Sequence, residues 1–146
     1  MIRILLSFIG SICLALLYNV NKKNLLCAGI AGTLGIIASD QILYFYPDAA
    51  LVSVLSGTAA VAVYSEIMAR IRKTPSTIFS IPGIFPLVPG VDAYRTIQFI
   101  SSNDYSSAIS FGISTVVKAS LIAFGILMIT AIFRKIKLQQ IGKANT

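Results

Sequence analysis

IPGIFPLVPGVDAYRT, residues 81–96, is the stretch whose reading decides the fold. Pro82, Pro86 and Pro89, with Gly83 and Gly90, interrupt an apolar run, and Asp92, Tyr94 and Arg95 follow at once. Each proline removes a backbone donor and crowds the turn before it, so one regular helix cannot run through the stretch. A new helix has its natural start at or just after Pro89-Gly90, which places Asp92 near its first turn.

The surroundings decide what kind of break this is. The 146-residue chain is 56% hydrophobic and 12% charged, with mean hydropathy +0.85. A soluble domain carries about 25% charged residues. Several apolar runs approach the roughly 20 residues that a membrane helix needs. The composition reads as an all-α, polytopic integral membrane protein with no soluble domain. The net charge of +7 does not point to nucleic acid. Its basic residues cluster at the ends of apolar runs, where lipid headgroups lie.

Chemistry of other kinds lacks its residues. There is no histidine. Cys13 and Cys27 both fall inside apolar segments and read as small packing residues. No metal-ligand spacing, nucleophile motif or phosphate loop occurs, so no enzyme activity, metal or cofactor is expected.

Five spans are expected, at about 2–20, 25–45, 49–69, 78–100 and 108–133, with 134–146 as a basic cytoplasmic tail. The first is read as a retained span, because Lys22 and Lys23 follow it and no small-x-small cleavage site precedes them. In the second, Gly29, Gly32 and Gly35 form a small-residue face that lets another helix approach closely. With five crossings the N terminus lies outside and the C terminus inside. Nine of the twelve basic residues then lie on the cytoplasmic side, and the outer connections carry none. With four crossings the basic C-terminal end would face outward. A re-entrant fourth segment is the alternative.

Backbone freed inside a bilayer must be buried in protein or face a water-filled cavity. Broken helices near the midplane are a recurrent way to build a transporter site, because a half-helix N terminus favours an anion. Five ionisable residues fall within the expected spans: Asp40, Glu66, Asp92, Arg95 and Lys118. Each is costly at the bilayer centre, by about 2.5–3.5 kcal/mol on insertion scales. Glu66 stands four residues before Arg70, an order that suits a helical salt bridge. Asp40 lies about one turn from the outer end of its span, able to reach headgroups or to serve a pathway. Asp92 and Arg95 share a helix face and could neutralise each other, or bind a substrate amine or proton and a carboxylate. Ser107, Ser110, Ser114 and Lys118 form a polar stripe expected to face the interior, with Lys118 as a carboxylate partner or as counter-ion to Asp92 or Asp40. Such a set suits a small polar anion or zwitterion.

The pattern Pro-x-x-Pro-Gly-x-x-Ala-Tyr, carried by Pro86, Pro89, Gly90, Ala93 and Tyr94, resembles the threonine/serine exporter (ThrE-like) family, in particular its small C-terminal-type subunit. The order and spacing of spans is similar from about Leu25 to Phe133. The resemblance implies proton-coupled export of threonine, serine or related small carboxylates from the cytoplasm, across the bacterial inner membrane. It also implies a larger ThrE-like membrane subunit as partner. Five spans are few for a transporter, which argues for that partner or for self-association. Asp92 and Arg95 lie outside the quoted pattern, so their roles rest on the physical reading. The expected pathway residues are Pro86, Pro89, Gly90, Asp92, Tyr94, Arg95, Lys118 and Asp40. The alternative is a non-transporting membrane scaffold whose broken span docks a partner.

Overall fold

The computed structural model describes residues 2–144, with side chains through residue 135. The elements are α1 (Ile2–Leu17), α2 (Lys22–Phe45), α3 (Ala50–Arg72), α4 (Thr77–Ile84), a single 3-10 turn (Phe85–Leu87), α5 (Gly90–Ser101) and α6 (Tyr105–Ala144). No strand occurs among the described residues. Three helices are long and apolar enough to cross a membrane: Lys22–Phe45, Ala50–Arg72 and the Tyr105–Lys135 part of α6. Helix α1, at 16 residues, is about 24 Å long, short of the roughly 30 Å hydrocarbon core. Thus three of the five expected spans are continuous helices of spanning length, the first is shorter, and the fourth is broken. The protein is an all-helical membrane protein. The expected basic tail continues α6 as far as Ala144; its side chains from residue 136, and residues 145–146, lie outside the described residues.

Local chemistry sets the boundaries. Asn21 caps α2, its side chain accepting from the Lys23 amide. Lys73 ends α3 in the left-handed conformation, φ 52°. Val88 is extended (ψ 130°), as expected of a residue that a proline follows. Pro89 then precedes α5, where its missing N–H costs no helical bond. Asn103, with φ 60°, turns the chain into α6.

Helix α2 is the hub, packed against α1, α3 and α4. Its glycines allow this. A Cβ on Gly35 would lie 2.6 Å from Val61 Cγ2, and one on Gly57 would lie 2.7 Å from the Gly35 carbonyl oxygen, so α2 and α3 touch backbone to backbone. A Cβ on Gly32 would collide with Ser11 Oγ of α1. Helix α4 is wedged among α1, α2 and α3, with Phe79 and Pro82 fully buried. Ala15, Cys27, Ala28 and Phe79 form one core cluster; Ile36, Val61, Leu87 and Ile122 form the other. Cys27 is buried as expected, but Cys13 is exposed.

The broken segment runs the length of the bundle. Its start, Pro75-Ser76, shares a groove with Lys73, Thr130 and Arg134 near the far part of α6. Its end lies beside Tyr105, where α6 begins. Between them Leu87 packs on Val61, the central residue of α3. Helix α5 then pairs antiparallel with α6, the Phe99 and Phe111 rings stacking at 5.4 Å.

Candidate functional site: a broken helix between two ion pairs

The break falls at mid-depth in the bundle. Leu87 is buried in one cluster with Ile36, Val61 and Ile122, and the 3-10 turn packs against α1, α2 and α3. Pro86 is half-buried beside Gly32. Gly90 has open space on the side where a Cβ would stand. Helix α5 begins at Gly90, and Asp92 lies in its first turn.

Asp92 meets Lys118 of α6. The Lys118 ammonium donates to Asp92 Oδ2 at 2.5 Å, and Ser114 Oγ donates to the same oxygen at 3.1 Å. The Lys118 and Asp92 side chains are 23% and 17% exposed, so water screens the pair only in part. Thr96 Oγ1 donates to the Asp92 carbonyl at 2.9 Å, tying down the same turn. Of the expected polar stripe, Ser114 and Lys118 face this site and Ser110 is exposed. Arg95 and Asp92 form no ion pair with each other among the described residues. Arg95 lies over the Phe111 ring, 5.4 Å from the centroid, and is largely exposed. Tyr94 is 67% exposed and Pro89 half-buried.

Asp40 is not beside Lys118. Its Oδ1 lies 2.9 Å from Arg3 Nη1, an ion pair between α2 and the first turn of α1. The structure therefore sorts the expected residues into two groups: Asp92 with Lys118 on α5 and α6, Asp40 alone on α2. The Pro86 turn packs on α1 and α2, and the chain continues from it into α5.

Glu66 and Arg70 do not form the expected salt bridge among the described residues. Arg70 instead donates to the Phe133 carbonyl at 3.1 Å and stacks 5.0 Å above the Phe133 ring. A carbonyl and an aromatic face on α6 have taken its guanidinium.

Three features were missed in the sequence. Arg3, Ser7 and Ser11 step by four along α1 and share one face. Ser7 and Ser11 are 5% and 0% exposed, and neither hydroxyl has a hydrogen-bond partner among the described residues. Their four-residue spacing behind Arg3 was the available signal. Among the described residues no cluster of metal-ligand side chains occurs.

No curated protein and no solved structure matches the chain. One family does match, described as Threonine/Serine exporter, ThrE, over residues 3–132. That range holds both ion pairs, the broken segment and most of every helix, and on it the chain belongs to the threonine/serine exporter family.

Proposed function

We propose that the chain is a subunit of a secondary transporter that exports threonine, serine or a related small carboxylate from the bacterial cytoplasm in exchange for protons. The observation that carries this reading is the Asp92–Lys118 pair at the start of the helix beyond the break, in a chain of this exporter family. A small amino acid is itself one carboxylate and one ammonium. It can enter the pair with its ammonium on Asp92 and its carboxylate on Lys118, with Ser114 as a hydroxyl partner. Arg95, on the same helix as Asp92, supplies a second cation for a dicarboxylate. A proton on Asp92 removes the charge that holds the ammonium. Proton and solute therefore compete for one carboxylate, which is the requirement for exchange in opposite directions.

Alternating access would come from movement of α5 and its partner α6 against the α1–α4 core, about the Phe85–Pro89 break. Five crossings, N terminus out and C terminus in, suit both the basic-residue count and the path of the broken segment along the bundle. A larger ThrE-like membrane subunit would complete the pathway, and self-association is the other way to enlarge it.

Efflux tests the reading. Exporter-deficient bacterial cells are loaded with threonine- or serine-containing dipeptides, and the free amino acid outside is followed. The cells carry this chain, its larger partner, or both. Export that requires this chain and is lost in Asp92→Asn, with membrane assembly intact, supports the assignment. Normal proton-coupled export by Asp92→Asn sinks it. Absence of export in every combination turns the test to small dicarboxylates and then to the scaffold reading.

A further inference from the structure

Beside the Pro86 turn lies a cavity of about 250 Å³, lined among others by Arg3, Ser7, Gly10, Ile36, Phe85 and Pro86. Two observations mark it as more than a packing gap. The first is Ser7, which lines the cavity, is 5% exposed and whose hydroxyl has no hydrogen-bond partner among the described residues. A helical serine ordinarily satisfies itself on a carbonyl one turn back, and Thr33, Thr58, Thr115 and Ser120 all do so here. Leaving a buried hydroxyl unpaired costs its full desolvation penalty. The second is the Arg3–Asp40 pair, in which Arg3 lines the cavity while Asp40 is two-thirds buried. Arg3 and the free hydroxyl-bearing Ser7 thus line a space floored by the broken helix, and Asp40 is joined to it through its pair with Arg3.

We propose that this cavity is a second subsite, on the α1–α2 side of the break, for a small zwitterion. The solute's anionic group takes the Arg3 guanidinium, its ammonium takes Asp40, and Ser7 hydrogen-bonds it. Opening the Arg3–Asp40 pair to admit the solute keeps both charges compensated, as a neutral or singly charged molecule would not. The identification of the solute as an amino acid rests on the export reading above. A zwitterionic lipid headgroup offers the same two charges, and the experiment separates the two sources.

The test is the reactivity of Ser7→Cys in a chain carrying Cys13→Ala and Cys27→Ala, in phosphatidylglycerol nanodiscs, toward a charged water-soluble methanethiosulfonate. Gly10→Cys is a second probe, since a Cβ there meets only the Phe85 ring at 3.6 Å. Ser11→Cys, fully buried, is the control expected to stay unlabelled. The inference expects labelling at positions 7 and 10. L-threonine, at ten times its half-protecting concentration, slows that labelling about tenfold, as one-site binding requires. Threonine amide and N-acetylthreonine, each lacking one charge, do not protect. Arg3→Gln raises the half-protecting concentration by at least about tenfold, the loss of a charge-assisted contact. A cavity that is never labelled in a folded chain is dry, and the inference is overturned. Labelling without protection by threonine also overturns it, as does protection seen only when phosphatidylethanolamine is added to the discs. Efflux is measured on the same variants. Export with no protection removes this subsite and leaves the export reading standing. Protection without export shows solute binding at the cavity while removing the export reading.

Discussion

Lys118 Nζ lies 2.5 Å from Asp92 Oδ2, joining the middle of α6 to the first turn of α5 across 26 positions of sequence. Ser114, one turn before Lys118, donates to the same oxygen. Removing one partner leaves the other as an uncompensated charge in a largely dry place. Asp92→Asn and Lys118→Gln should each destabilise the chain by roughly 2–3 kcal/mol, below the figure for a fully buried pair because both side chains retain some exposure. The double variant should recover most of that loss, since no lone charge remains. Denaturation in mixed micelles checks this, and a double variant as unstable as the two singles summed would show that the groups do not interact.

Two glycines should respond in opposite ways to the same change. In Gly57→Ala the new methyl meets the Gly35 carbonyl oxygen at 2.7 Å, a backbone atom that cannot swing aside. Helices α2 and α3 must separate, at a cost of about 1–3 kcal/mol. In Gly90→Ala the methyl meets nothing within 4 Å, and the residue already stands in the helix at a φ open to alanine. That variant should be as stable as the parent or more so, by about 0.4–1 kcal/mol through the unfolded chain. Thermal unfolding of the two variants side by side gives the comparison.

What was legible in the sequence is what local chemistry determines. The interruption at Pro86 to Pro89 and the restart at Gly90 follow from missing donors and pre-proline sterics, which need no neighbour. The serine-lysine spacing of α6 foretold that Lys118 would face inward, yet not which carboxylate it would meet. Asp92 and Arg95 were close in sequence and could have paired, but α6 supplies Asp92 with a lysine and a hydroxyl, and supplies Arg95 with the Phe111 face. Glu66 and Arg70 fail for the same reason: α6 brings a free carbonyl and a ring to Arg70. The Arg3–Asp40 pair was out of reach because it depends on how α1 lies on α2. That contact rests on Gly29 and Gly32, whose close-approach role could be read while the partner helix could not.

Asp104 gives a pH-dependent element outside the membrane-spanning segments. Its carboxylate stands just before α6 and accepts from the Ser107 amide at 3.2 Å. The Ser107 hydroxyl and then its amide hold the Asp104 carboxyl below its ordinary value of 3.8. A depressed carboxyl contributes stability that is complete above the unfolded-state value and is lost as pH falls through the folded one. The α6 start should therefore be intact at neutral pH and loosen only below the ordinary carboxylate range. The Ser107 amide resonance of the chain in micelles should move with a midpoint below 3.8, and should lose that titration in Asp104→Asn. A midpoint at or above the ordinary value would show that the cap does not hold in solution.

The path of residues 77–101 predicts which side of the membrane Asn103 occupies. Helix α4, the 3-10 turn and α5 together extend about 36 Å if laid end to end, enough to cross a hydrocarbon core of roughly 30 Å despite the break. They start beside Lys73 and Arg134, at one end of the bundle, and finish at Tyr105, where α6 starts back toward Arg134. A re-entrant segment would instead return to the end from which it left. In a chain carrying Cys13→Ala and Cys27→Ala, a cysteine at Asp48 or Asn103 should react with an impermeant thiol reagent added to intact cells. One at Lys22 or Lys73 should react only after the membrane is opened. Reaction of Asn103→Cys together with Lys73→Cys from one side would mean that the fourth segment does not cross. The Asp92 site would then open to one face alone, and alternating access could not depend on the break at Pro86 to Pro89.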